Sequence, residues 1–278
     1  MTKRCVFVLA AAWLVGAGLA QASVERIQVQ SREPFHTGSA GPYVKVTGTF
    51  TGSLDPRTEP IPGIERAPAR ADGRVEYASD FIVLFPESPA SGNRVLLFDV
   101  ENNGRPVVHG MYNSPIESVV RQLEIGNGFL EDHGFIVAVT SWQDGQGITL
   151  PRVRSTDGTS TPLFATGFAA VRDFAAFLRF ESQDRAGTAN PIAGRTDRAI
   201  AAGSSQTARF LRSFLHHGTN RVGTRMVFDG LHLQVAQVGS MPFIPPVNAD
   251  PAVVKETLVG DSAVYPFTYA GCPTMPPR

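Results

Sequence analysis

The segment Arg198–Ala–Ile–Ala–Ala–Gly–Ser–Ser–Gln–Thr–Ala–Arg209 constrains this chain more than any other. A short run of small apolar residues ends at Gly203, and a helical pattern starts immediately after Ser205. That layout predicts a buried strand, a sharp turn and a helix, with the Ser205 hydroxyl held proud at the strand's carboxyl end. Glycine at 203 suits a turn where another stretch of backbone comes close to its Cα. The N–H of Gln206, at the first turn of the helix, would point at the oxygen of a tetrahedral intermediate, so the pattern points to serine-based acyl transfer. A plainer alternative stands beside it: a Gly-Ser turn whose Ser204 or Ser205 only caps the helix. The second small position of such a turn is occupied by Thr207 instead of glycine.

The surrounding pattern supplies the setting. Val24–Gln30, Tyr43–Thr51 and Val75–Phe85 read as strands interrupted by polar residues, antiparallel and partly solvated. Asp55–Ala71 reads as an exposed loop and Pro86–Asn93 as a turn. Arg94–Val100 and Gly134–Ser141 are nearly continuous apolar runs, as strands covered on both faces should be. Ile116–Phe129 is the expected crossover helix between them. Phe164–Phe180 carries apolar residues at helical spacing. Ala199–Gly203 is the third buried strand, Thr207–His217 the helix after it, and Arg225–Asp229 a fourth strand. Alternating strands and helices imply a parallel sheet built from βαβ units. From Ser240 onward the chain is rich in proline, and only Val253–Leu258 suggests a short helix.

Lys3 and Arg4, the apolar run Cys5–Leu19 and Ala20–Gln21–Ala22 read as a cleavable secretory signal, cut after Ala22. The expected localisation is secreted or periplasmic, with one domain over 23–278 and no membrane attachment once the signal is removed. Of the two cysteines, only Cys272 would remain, which leaves no intrachain disulfide. Lys+Arg and Asp+Glu are equal at 25 each, which argues against a nucleic-acid or anionic-membrane surface. No Cys-x-x-Cys or His-x-x-x-His spacing suggests a metal, and no cofactor is expected.

Several phrases occur together in order. They are Val24–Glu25–Arg26–Ile27, Ser31–Arg32–Glu33–Pro34–Phe35, Gly41–Pro42–Tyr43 and Asp72–Gly73–Arg74–Val75–Glu76–Tyr77. Asp99–Val100–Glu101–Asn102–Asn103–Gly104 and Trp142–Gln143–Asp144 follow, then Gly203–Ser–Ser–Gln206 with Arg209–Phe210–Leu211–Arg212. Phe228–Asp229–Gly230 and Pro266–Phe267–Thr268–Tyr269 complete the set. In these the chain resembles the bacterial, mostly exported α/β-hydrolase-domain proteins, to about Tyr269. The resemblance implies an α/β fold: a hydrolase-like sheet with antiparallel strands at its N-terminal side, incomplete at the C-terminal end of the chain. It implies an esterase-type reaction on a small-molecule ester. Ser205 would be the nucleophile, with Gln206 and the Asn103–Gly104 turn as the oxyanion hole. That turn can equally be a plain Asn-Gly turn.

In such a fold an acid and a histidine follow the serine in chain order. Asp229 and His232 are the candidates, expected at the carboxyl end of the fourth strand. His216 and His217 fall at the far end of the helix after Ser205, where they suit its C-terminus. His109 and His133 read as surface residues, Trp142 as packing, and Arg209 with Arg212 as a solvated or salt-bridged face. Two further readings stay open: a truncated, inactive remnant of such a fold, or a secreted binding protein built on it.

Overall fold

The computed structural model describes residues 24–61, 63–113, 123–154 and 158–236. The expected signal segment, Val253–Leu258, Cys272 and most of the expected crossover helix lie outside the described residues. In chain order the elements are β1 (Val24–Gly38), β2 (Gly41–Leu54), β3 (Val75–Pro86), β4 (Val95–Val100), α1 (Val108–Tyr112) and α2 (Phe129–Asp132). Then come β5 (Ile136–Thr140), β6 (Ile148–Thr149), β7 (Arg152–Arg154), β8 (Ser160–Pro162), α3 (Thr166–Phe180) and β9 (Arg198–Ser204). The series ends with α4 (Gln206–His216), β10 (Arg221–Val222), β11 (Arg225–Met226) and β12 (Gly230–Gln234).

Eight strands form one mixed sheet in the order β1-β2-β3-β5-β4-β9-β12, with β6 pairing on β3. From β1 to β5 each neighbour is antiparallel; β5, β4, β9 and β12 run parallel. Every residue of β5 is buried, as is β4 from Leu96 onward, because helices cover both faces there. On one face α3 and α4 bring Phe168, Phe174, Phe210 and Phe214 onto the sheet. Phe174 stacks on Phe50 at 4.3 Å between ring centroids and lies 5.1 Å from Phe81, fixing α3 across the antiparallel strands. On the other face Val108 of α1 and Leu130 of α2 meet Leu97, Val139 and Ala202.

The described part of the expected crossover helix is helical only at Phe129, where the short α2 begins. The fourth parallel strand is Gly230–Gln234, a correction to Arg225–Asp229. Arg225 and Met226 instead form a small hairpin with Arg221 and Val222. Val227 and Phe228 are buried and apolar but only approach the sheet, whereas β12 alternates with exposed His232 and Gln234 and so does not read as a buried run. The shift has a consequence for Asp229, which now precedes the strand.

The strand order places a reversal at β4. The chain leaves β4 toward β5 on one side and later returns to β9 on the other. In open sheets of this kind the crevice at the carboxyl ends of the two strands flanking the reversal is the ligand site. Here that crevice lies between the Asn102 turn and Ser205.

Candidate active site

β9 ends at Ser204 and α4 begins at Gln206, so Ser205 alone turns the chain. Its backbone sits at φ 54° and ψ −110°. These are the angles of the first central residue of a type II′ turn, a position normally held by glycine. An L-residue there is strained. Ser205 is exposed, while residues 201–204 and 206–210 are all buried. Its side chain makes no capping hydrogen bond to α4. The hydroxyl is therefore presented to the crevice and takes no part in holding the helix.

The strain is supported from four directions. Ser205 N–H donates to the Gln234 carbonyl of β12 at 2.9 Å. The Thr207 hydroxyl accepts from Ser204 N–H at 3.0 Å and lies 3.1 Å from the Ser204 carbonyl, to which it donates. The threonine hydroxyl thus pins the turn where glycine, the residue expected at this position, could not. A Cβ on Gly203 would lie 2.8 Å from the Thr207 carbonyl carbon, so the sharp turn requires glycine there. Finally, the buried Asn102 amide donates to the Ser204 carbonyl at 3.0 Å, tying the turn after β4 to the turn after β9.

That second turn runs Asn102–Asn103–Gly104–Arg105, with Asn102 N–H donating to the Arg105 carbonyl at 2.9 Å. Asn103 and Gly104 both have positive φ, 53° and 69°, a backbone that an Asn-Gly pair permits. The Asn103 side chain donates to the Asn102 carboxamide oxygen at 3.0 Å. Gln206, as the first residue of α4, has an N–H with no intrahelical acceptor. The crevice is thus bordered by an exposed hydroxyl, a free helix-start N–H and a rigid turn.

The other expected residues fall elsewhere. Asp229 precedes β12, next to Ala199 at the amino end of β9, whereas Ser205 follows the carboxyl end. At about 3.3 Å per residue, the six residues from 199 to 205 put them roughly 20 Å apart along the sheet. Asp229 is engaged locally: it accepts from Ala199 N–H at 2.8 Å and pairs with Arg179 at 2.6 Å. Burial opposes its charge, but the Ala199 N–H and the Arg179 guanidinium outweigh it and keep its carboxyl below the ordinary range. It ties strand β9 to helix α3, and the sheet's polarity rules out its joining Ser205. His232 lies mid-strand opposite Ala202, about 10 Å along the sheet from Ser205, on the α1 face. Its Nδ1 is 2.5 Å from the Tyr112 hydroxyl.

All six histidines of the sequence, 36, 109, 133, 216, 217 and 232, are described, and none hydrogen-bonds Ser205. His216 and His217 do sit at the end of α4. Burial, with His216 beside it, holds the His217 imidazole below its ordinary range. His133 is exposed, but His109 is buried, its Nε2 3.0 Å from Glu131, which corrects its surface assignment. Of Arg209 and Arg212, expected on a solvated or salt-bridged face, Arg209 is buried. Trp142 packs against Phe210 at 4.6 Å and donates its indole N–H to the Glu101 carbonyl at 3.0 Å. Sequence reasoning missed the Asn102 tether; its only signal was a second amide beside the Asn-Gly pair. Among the described residues no cluster of three or more His, Cys, Asp or Glu could hold a metal.

Residues 146–267 match the family model of the alpha/beta hydrolase domain, a segment that contains β9, Ser205 and α4. The match and the mixed sheet agree on an α/β-hydrolase type of fold. Among solved structures the chain is similar to brefeldin A esterase, a bacterial homologue of human hormone sensitive lipase. The identity is 13% and the TM-score 0.30, over 66% of this chain and 38% of that one. The chain thus spans well under half of that relative's length. No curated protein matches it.

Proposed function

We propose that this protein is a serine-dependent ester (acyl) hydrolase with Ser205 as its nucleophile. The observation that carries the reading is the strained, exposed Ser205 with no capping role, at the sheet's reversal point. Ser205 Oγ attacks the ester carbonyl, and the alcohol leaves from the tetrahedral intermediate. Water then hydrolyses the acyl-enzyme. The Gln206 N–H and the Asn103–Gly104 turn stabilise the oxyanion; losing one such donor typically costs about 2.7–4 kcal/mol.

His232 is the histidine on a strand paired directly with β9, and it is the residue proposed to take the Ser205 proton. That role requires its side chain to leave Tyr112 and reach the crevice. Residues 1–22 are proposed to direct export and to be removed, leaving Ser23 as the mature N-terminus.

The test is labelling with a fluorophosphonate and mapping of the adduct. One adduct on Ser205, abolished by Ser205→Ala with the fold intact, supports the reading. Labelling that survives His232→Ala moves the proton acceptor to another residue. A folded protein that takes no adduct favours a second reading, a binding protein on a hydrolase scaffold. The separation of His232 from Ser205 speaks for that one.

A further inference from the structure

Three of the buried side-chain atoms that find no hydrogen-bond partner among the described residues belong to the carboxyl end of the sheet: Gln206 Oε1, Gln143 Oε1 and Thr166 Oγ1. All three residues are tied to Trp142. Gln143 follows it in the chain, and a Cβ on Gly167, next to Thr166, would lie 2.6 Å from its carbonyl oxygen. Phe210, one helical turn past Gln206 and on the same face of α4, packs its ring 4.6 Å from the indole. Thr166 opens α3 and Gln206 opens α4. Helix side chains lean towards the helix N-terminus, so both lean towards the end of the sheet where Ser205 stands.

Gln206 bears most directly on the crevice. It is next to Ser205 and only 6% exposed, and its carboxamide oxygen is bonded to nothing among the described residues. A buried amide oxygen without a partner is destabilising, and an apolar side chain of the same length would fill the place better. Folding alone therefore gives no reason for glutamine here, whereas a ligand that hydrogen-bonds it does. The terminal torsion of a carboxamide is broad, and a half-turn exchanges its oxygen and nitrogen. A hydroxyl, which both donates and accepts, suits either presentation, and a carboxamide offers no charge to attract an ionic group.

We propose that Gln206 selects esters whose acyl part carries a hydroxyl close to the carbonyl, and that its side chain hydrogen-bonds that hydroxyl. Its N–H is the proposed oxyanion donor, so the side chain of the same residue meets the α or β carbon of the acyl chain. Beyond Gly104, a cavity of about 380 Å³ bordered by Asp80, Glu101 and Ser141 leaves room for the rest of the molecule. A site with a buried polar group discriminates against the analogue that leaves this group unpaired. The selection of substrate rests on the hydrolase reading, whereas the unpaired state of the carboxamide does not.

Two measurements test this. Gln206→Met replaces the carboxamide by an apolar chain of similar length, and its urea midpoint should lie above that of the wild type. An equal or lower midpoint, or a variant that does not fold, would mean that bound water already satisfies the carboxamide, and would overturn the proposal. Second, ethyl lactate and ethyl β-hydroxybutyrate are compared with ethyl propionate and ethyl butyrate by titrating the released acid. At least one hydroxy ester should show a kcat/KM tenfold or more above its unsubstituted counterpart, and Gln206→Met should reduce that ratio at least fivefold. The intrinsic reactivity of each ester is common to both proteins, so the change in the ratio reads the side chain alone. No preference in the wild type, or a ratio unchanged in the variant, would overturn the proposal. If no ester is hydrolysed, the hydrolase reading fails and calorimetry with the two hydroxy esters decides. Binding weakened at least fivefold by Gln206→Met then upholds recognition of the hydroxyl, and absent binding or binding indifferent to the substitution overturns it.

Discussion

Replacing Ser205 by glycine should make the protein more stable, and the sign of that change separates two accounts of the residue. At φ 54° and ψ −110° a side chain is held in a region that L-residues avoid. Such a conformation costs about 1–3 kcal/mol. Glycine removes the cost but gives back about 0.4–1 kcal/mol, because its unfolded chain has more freedom to lose. Ser205 is exposed and makes no cap hydrogen bond, so no packing or capping energy is forfeited. The net gain should be on the order of 1 kcal/mol, or roughly 2–4 °C in Tm for a domain of this size. Ser205→Ala keeps the Cβ and the strain, and should melt within about 1 °C of wild type. An N-cap serine behaves differently: alanine would cost about 0.5–2 kcal/mol and glycine a few tenths, so both variants would fall below wild type. The assay is urea and thermal unfolding of the three proteins, with matching m-values to confirm a common unfolded state. A glycine variant less stable than wild type would refute the strain argument, whatever its effect on fluorophosphonate labelling.

Gly203→Ala should destabilise the protein by about 1–3 kcal/mol, since the new Cβ meets the Thr207 backbone, which cannot step aside as a flexible side chain would; urea midpoints check this. Asn102→Ala should lower kcat at least tenfold with KM little changed, up to the roughly 10²–10³-fold loss of a missing oxyanion donor. Equal kcat in steady-state kinetics would show that the link to Ser204 does not position the turn. Asp99 supplies a pH signature. Burial pushes its carboxyl up to about 7, against the pull of the Val108 and Val107 N–H groups it accepts from, with the charge of Glu101 adding to the rise. The folded protein therefore keeps this proton where the unfolded chain has released it. The resulting stability is fully present below about pH 4 and is lost as pH rises through about 7, a swing of at most about 4 kcal/mol. Asp99→Asn should remove that part of the slope in unfolding measured from pH 4 to 8.

What the sequence made legible depended on how fully each element is buried. β4, β5 and β9 stand out as apolar runs because helices cover both their faces, and α3 because its stripe faces the sheet. The Gly203–Ser205–Gln206 junction was readable because a sharp strand-to-helix turn leaves few residue choices. β12 was misplaced because its exposed His232 and Gln234 alternate with half-buried Leu231 and Leu233, so no buried run marks it after the buried Phe228. That one displacement carried Asp229 from the expected carboxyl end to the amino end of the sheet. His109 looked like a surface residue because its partner Glu131 lies 22 positions away and no local spacing announces a buried pair. The grouping of Asp80, Glu101 and Ser141 around one cavity was equally hidden, as Asp80 lies in the middle of β3 and the other two just after β4 and β5.

The supports around Ser205 bear on function more than any single angle does. A helix cap needs one side chain bonded to one N–H, and it tolerates many backbones. Here β12 bonds the Ser205 N–H, Thr207 grips Ser204 on both sides, and Asn102 reaches the Ser204 carbonyl from the far side of the crevice. All of these hold the backbone, and none uses the Ser205 hydroxyl. Folding thus spends several ordered groups to keep one side chain exposed and unbonded in an unfavourable conformation. Strain of that kind persists only where the surroundings over-determine it, as at reactive sites. The same Asn102 that braces the serine also anchors the Asn103–Gly104 turn, so the proposed nucleophile and the turn proposed to hold the oxyanion are fixed as one unit. A protein that only bound an ester would gain nothing from holding a free hydroxyl in register with that turn. The arrangement is therefore better suited to attack on a carbonyl than to recognition alone, and the separation of His232 makes proton transfer the step on which the proposal is most exposed to test.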